Sequence, residues 1–230
     1  RTSVWHDDVS AYELLDGGKV IGRFYLDMHP RDGKYKHAAA FSIINGIDGL
    51  QTPEAALVCN FPGGKNNSGI MEHSDVETFL HEFGHLLHIL FAGNNQRWMQ
   101  FSGIKTEWDF VEAPSQMLEE WVWDKPTLAT FAKNRKGEWI PDALVDQMIK
   151  ARDFGKGMWT KHQLFYAALS LGVYNQDPSS LDIDKLLQLT QAKYSPFGYV
   201  DDTYFYTSFG HLNGYSAIYY TYMWSLVMAA

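Results

Sequence analysis

Residues 78–90 read TFLHEFGHLLHIL, three histidines and one glutamate in an otherwise apolar run. His81 and His85 are four residues apart, so on an α-helix their imidazoles lie roughly 40° apart around the axis and can point at one ion. Glu82, adjacent to the first of them, would sit beside that ion rather than on it. Its carboxylate can take a proton from a water there and deliver it to a leaving amine. A Zn²⁺ held by neutral imidazoles moves the pKa of such a water toward neutrality. The H-E-x-x-H pattern is short, and its setting adds the weight: a strongly apolar helix does not bury two imidazoles and a carboxylate without a compensating ion. His88 lies nearly above His81 on the same face but about 10 Å along the axis. That is too far for the same ion, and His88 reads as a hydrogen-bonded support beneath the site.

The third protein ligand must come from elsewhere. A metzincin would carry Gly at 88 and His at 91, where this chain has His88 and Phe91. A carboxylate from a later helix completes a His₂Glu set and leaves the fourth position to water. The segment GIKTEWDFVEAPSQMLEEWVWDKP offers Glu107, Asp109, Glu112, Glu119 and Glu120. Asp109, Glu112, Gln116 and Glu119 share a helical face, and Pro114 is tolerable only in a first turn. Spacing leaves the choice open. The single cysteine, Cys59, excludes both an internal disulfide and a thiolate-held ion.

A second constellation lies in FGHLNGYSAIYYTYMW at 209–224. Tyr215, Tyr219 and Tyr222 fall at i, i+4 and i+7, one face of a helix, while Tyr220 points elsewhere. A phenol is a neutral donor suited to the oxyanion formed when water attacks a peptide carbonyl. Gly210 and Gly214 make a mobile entry to the segment.

The elements that must position these groups divide into a strand-rich beginning, about 19–61, and a helical remainder, about 75–230. KVIGRFYLDMHPRDGKYKHAAAFSII alternates on both sides of HPRDGK and predicts a hairpin over 19–44. AALVCNF at 55–61 predicts a third strand, PGGKNNSG at 62–69 a flexible connection, and Ser74 or Asp75 the cap of the His-bearing helix. HAAAF at 37–41 is a candidate edge strand that could pair with an extended peptide. Further helices are predicted near 112–123, 126–134, 142–154, 156–174, 182–193 and 214–230. The fold class is α+β, predominantly helical, with a small sheet beside a helical body in one domain.

Composition narrows the partners. Lysine and arginine number 19 against 27 acidic residues, a net charge of −8 without a basic patch, which argues against nucleic acid. No run approaches the roughly 20 apolar residues of a membrane span. The chain starts at Arg1 and stops in a helical pattern without a cap, so it is expected to be a piece of a longer protein.

HEFGHLLH, FSGIKTEWDFVEAPSQMLEEWVW, VWHDDVSAYELLDGGKVIGRFYLDMHPRDGKYKHAAAF and FGHLNGYSAIYYTYMW together resemble the catalytic part of the thimet oligopeptidase, neurolysin and oligopeptidase A family of zinc metallopeptidases. The resemblance runs nearly end to end. It implies a zincin-like catalytic region with one Zn²⁺, held by His81, His85 and, from the D-F-V-E word, Glu112. It also implies Tyr222 on the oxyanion and His211, Tyr215 and Tyr219 on the substrate. The match departs in two places: the interval from His85 to Glu112 is slightly longer, read as a loop insertion near AGNNQRW, and one small residue is missing between His211 and Tyr215. Glu77 and Asp109, each one turn before a ligand, are expected to orient the ligands by hydrogen bonding. The implied activity is hydrolysis of internal bonds in short peptides. A dipeptidyl carboxypeptidase of the same family and a zinc-stabilised binding module are the alternatives. The implied address is cytoplasmic, and the implied partner is the remainder of the chain.

Overall fold

The computed structural model describes residues 3–64 and 69–230. Val9–Asp16 (β1) and Lys19–Asp27 (β2) pair antiparallel across Gly17 and Gly18. Both glycines are left-handed, at φ 55° and 84°, as a two-residue hairpin turn requires. Ala39–Ile44 (β3) and Glu54–Val58 (β4) complete a sheet of order β1-β2-β4-β3. β4 runs parallel to β2 and antiparallel to β3. Ala55, Ala56 and Leu57 of this inner strand are all buried.

The hairpin expected over 19–44 is therefore not formed: β2 and β3 are separated by β4, and the true hairpin lies earlier, across Gly17 and Gly18. The reason is a buried lysine. Lys34, 8% exposed, donates from Nζ to the carbonyl oxygens of Asp27, His29 and Cys59 at 2.9, 2.7 and 2.5 Å. The Asp27 carboxylate, itself buried, accepts two bonds from Arg31 and one from Trp5. Asp32 and Gly33 of HPRDGK do make a tight turn, with the Lys34 N–H donating to the Arg31 oxygen at 3.3 Å and Gly33 at φ 75°. The chain leaving it carries Lys34 in against the ends of β2 and β4, and the slot beside β2 goes to β4. The strand-rich part accordingly begins at Val9, not Lys19.

His73–Asn94 (α1) lies across the sheet and packs Leu86, Ile89 and Leu90 against Ala55, Leu57, Cys59 and Phe61. Its cap is Glu72, with the Asp75 carboxylate accepting from the Glu72 N–H at 2.9 Å. The expected cap is thus displaced by two or three residues, with Asp75 in the reciprocal position of a capping box. The connection expected at 62–69 lies partly outside the described residues.

Ala113–Glu119 (α2) crosses α1 at Gly84, where an added Cβ would stand 2.6 Å from Ser115 Cα and 2.7 Å from the Pro114 oxygen. Lys125–Phe131 (α3), Asp142–Ala151 (α4), Lys156–Tyr174 (α5) and Ile183–Tyr194 (α6) follow. Phe165 and Leu169 of α5 and Leu187 of α6 form a second core with Phe209 and Tyr219. The last helix, Thr221–Ala229 (α7), starts later than expected. Gly214 and Ala217 hold left-handed φ values of 117° and 63°, so 214–220 is a series of turns. The architecture is α+β. Among the described residues, no helix is long and apolar enough to cross a membrane.

Candidate functional site

α1 presents His81 and His85 on one face, their rings 5.0 Å apart. Glu112 caps α2, whose Pro114 falls in the first turn, where its missing N–H costs nothing. The close approach at Gly84 brings that cap onto the two imidazoles. Glu112 Oε2 lies 3.2 Å from His81 Nε2 and 3.0 Å from His85 Nε2, and the three ligand atoms lie within 4.8 Å of one another. The carboxylate is 1% exposed. Ser115 Oγ donates to its Oε2 at 3.1 Å, and the Tyr215 phenol donates to its Oε1 at 2.6 Å.

A buried carboxylate needs a compensating positive charge, and among the described residues no lysine or arginine pairs with Glu112. Two imidazole nitrogens and a carboxylate oxygen converging on the wall of a cleft form a donor set suited to Zn²⁺. Burial works to lower His81, yet its bonds to Glu112 and Glu119 outweigh this and raise it to about 10. Burial works to raise Glu112, and the His81 and His85 bonds hold it well below the ordinary carboxylate range.

The other nitrogen of His81, Nδ1, lies 2.6 Å from Glu119 Oε1. Glu119 is one of the carboxylates that spacing left open, and it meets the ring from the side away from Glu112. Glu120, another, pairs with Arg152 on the surface. Among the described residues Glu119, and neither Glu77 nor Asp109, is hydrogen-bonded to the outer nitrogen of His81, and His85 Nδ1 is buried without a partner. Glu77 stops at the wall of the cavity behind His81, beside Glu119 and Trp159. Asp109 contributes its backbone oxygen to Ser225. His88 packs edge-on against Phe110, as a supporting residue would, but its buried Nδ1 has no hydrogen-bond partner.

Glu82 and the three ligand-type residues line a cleft of about 480 Å³ together with Ala38–Ala40, Tyr215 and Tyr222. Burial raises the Glu82 carboxyl, partly offset by the His81 and His85 imidazoles, a direction that would suit a proton acceptor and donor near neutrality. β3 is an edge strand, as expected for HAAAF, and its first residues form one wall of this cleft. A second cavity of about 640 Å³ shares Glu82, His211 and Tyr222 and is walled by Tyr35, His37, Phe205 and Tyr219.

The tyrosines meet although they do not share a helix. Tyr215 stacks on Tyr222 with ring centres 5.4 Å apart, and Tyr222 lies 4.9 Å from Tyr219. Tyr222 Oη is 3.2 Å from His211 Nε2. Tyr219 is buried and donates to Gln163 Oε1 at 3.1 Å. Burial, then the Glu112 charge, raises both Tyr215 and Tyr222, so each phenol keeps its proton as a donor. Tyr220 faces away and is exposed, as its place in the spacing predicts.

The chain is 39% identical over 244 residues to saccharolysin of Saccharomyces cerevisiae, an alignment covering 99% of this chain and 34% of that protein. It is 34% identical over 235 residues to the mitochondrial intermediate peptidase of Arabidopsis thaliana, covering 98% and 33%. It is 32% identical over 243 residues to oligopeptidase A of Haemophilus influenzae, covering 98% and 35%. The chain thus spans about a third of the length of these relatives. The model of peptidase family M3 matches residues 1–230, and with four separated sequence words and a His–His–Glu cluster behind that match, the chain belongs to peptidase family M3.

Proposed function

We propose that the chain is the zincin-like catalytic part of a zinc-dependent oligopeptidase that hydrolyses internal bonds of short peptides. The observation that carries the reading is the convergence of His81, His85 and Glu112 on the cleft wall that also holds Glu82. When bound there, zinc supplies Lewis acidity to water and to the peptide carbonyl. Glu82 takes the proton of the attacking water and returns it to the leaving amine. Tyr222 donates its phenolic hydrogen to the oxyanion, and His211 and Tyr219 line the wall that receives the peptide. Tyr215 and Glu119 hold the ligands in place from behind.

The edge strand β3 supports cleavage of internal bonds, because it recognises main chain and needs no peptide terminus. The 230 residues are read as one domain of a longer protein, on the ground that they span about a third of their relatives. The remainder of that protein would then complete the substrate channel, and the isolated piece would bind zinc but turn over peptides slowly. A cytoplasmic address is proposed from the likeness to a relative of Arabidopsis thaliana named a probable cytosolic oligopeptidase A.

Glu82→Gln in the full-length protein tests the assignment. The variant is expected to retain one zinc per chain and to lose hydrolysis of a blocked oligopeptide by about 10²-fold or more. Full activity with zinc retained would remove Glu82 from the mechanism.

A further inference from the structure

Tyr222 is held from behind by a residue that lines neither cleft. Gln116 stands one turn beyond Glu112 on α2, is 7% exposed, and donates from Nε2 to the Tyr222 carbonyl oxygen at 2.8 Å. Its own Oε1 is buried without a partner. An unpaired buried amide oxygen opposes folding, so this amide is retained for its N–H. The carbonyl it reaches lies in the first turn of α7, where the helix already uses it as an acceptor. A second donor there limits the rotation of that turn, and with it the direction of the phenol.

The other end of Tyr222 stacks on Tyr215, whose hydroxyl is bonded to Glu112. A loop of contacts thus runs from Glu112 along α2 to Gln116, across to Tyr222, and back through Tyr215. Two buried hydroxyls also moor α7: Thr221 donates to the Trp108 oxygen and Ser225 to the Asp109 oxygen. Neither hydroxyl bonds the Tyr222 carbonyl or its phenol.

We propose that Gln116 is a positioning residue, a strut one helical turn long that sets the Tyr222 phenol against Glu112 so that oxyanion donor and metal ligand move as one body. The proposal rests on the reading of Tyr222 as the oxyanion donor.

The test is calorimetric and compares two ligands of the zinc-loaded protein: a phosphinic peptide, whose tetrahedral anion occupies the oxyanion position, and the corresponding product peptide. Gln116→Met is expected to weaken the phosphinic peptide about tenfold, the worth of one lost hydrogen bond to the anion. Product affinity and zinc content should stay within about twofold, since neither uses that bond. Tyr222→Phe should reproduce the loss, and the double variant should lose no more than Tyr222→Phe alone. Thr221→Val, which loosens the same helix, should leave the ratio of the two affinities unchanged.

Additive losses in the double variant, or equal losses in Gln116→Met and Thr221→Val, would overturn the strut. A loss in Tyr222→Phe with none in Gln116→Met would overturn it as well. An unaffected Tyr222→Phe would instead overturn the oxyanion reading beneath it. If Gln116→Met does not fold, Gln116→Glu keeps the shape while turning an acceptor toward the carbonyl, and the same loss of the ratio is expected.

Discussion

Glu119 Oε1 lies 2.6 Å from His81 Nδ1, while Glu112 Oε2 faces Nε2 of the same ring. The two carboxylates stand two turns apart on one face of α2, and the imidazole from α1 fits between them. Glu112 belongs to the His–His–Glu cluster, and on the proposed reading Glu119, at the opposite nitrogen, fixes the tautomer and plane of a ligand imidazole. The orientation of His81 is therefore set by the docking of α2 on α1 rather than by α1 itself.

Glu119→Gln keeps an acceptor for the His81 N–H and removes its charge. Zinc affinity is expected to fall about 10–100-fold, the usual cost of losing such a partner. Competition with a chromophoric chelator measures it. An unaltered affinity would mean that packing alone orients the ring.

Tyr215→Phe separates two roles for one phenol. Its hydroxyl bonds Glu112, so the variant is expected to lose zinc affinity about tenfold, the worth of a hydrogen bond to a charged group, with a smaller change in KM. A raised KM at unchanged zinc affinity would return Tyr215 to the substrate wall, the role the family resemblance implies.

The pairing of His81 and His85 was legible because i, i+4 spacing in an apolar helix is local chemistry. Glu112 was not, since spacing left five carboxylates open and only the D-F-V-E resemblance pointed to it, and the structure brings it within 3.2 Å of both imidazoles. Glu119 was not legible as a partner of His81, since five carboxylates crowd 107–120 and only the crossing at Gly84 decides which of them reach the rings. The tyrosines illustrate the opposite case. Their spacing predicts a shared helical face that does not form, because Gly214 and Ala217 turn left-handed, yet burial against Phe209 and Glu112 gathers the same rings. The hairpin over 19–44 was misplaced because Lys34 carries a charge and sits in a run of turn formers, so nothing in the pattern announces that it is buried. Its three carbonyl partners come from two distant stretches, Asp27 and His29 after β2 and Cys59 after β4.

Asp27→Asn tests that buried node through its pH dependence. Burial works to raise the Asp27 carboxyl, and the bonds from Arg31, Trp5 and Lys34 hold it well below its ordinary value of 3.8. A depressed folded-state pKa gives stability that is complete above the unfolded value and is lost as pH falls through the folded one. The variant should be about 3–5 kcal/mol less stable at pH 7, the cost of removing one partner from a buried pair. Its deficit should narrow only below about pH 4, where the unfolded carboxyl begins to protonate. Urea unfolding between pH 7 and pH 3 measures both, and a constant difference throughout would detach Asp27 from the effect.

Gly84→Ala sets two effects of opposite sign against each other. Gly84 lies inside α1 with ordinary helical backbone, so alanine should stabilise the helix by up to about 1 kcal/mol on propensity alone. Its Cβ, however, would stand 2.6 Å from Ser115 Cα, a backbone atom that cannot rotate away. α2 must therefore move off α1, taking Glu112 from the imidazoles, and overpacking of this kind costs about 1–3 kcal/mol. The expected result is a net loss of stability with zinc affinity reduced by about 100-fold or more, because an error of about 1 Å is as large as the tolerance of such a site. Gly157 provides the comparison: it lies in α5 with nothing within 4 Å of an added Cβ, so Gly157→Ala should be neutral or stabilising and leave zinc binding intact. If Gly84→Ala behaved like Gly157→Ala in urea unfolding and in zinc titration, the contact between α1 and α2 would not be what holds His81, His85 and Glu112 together.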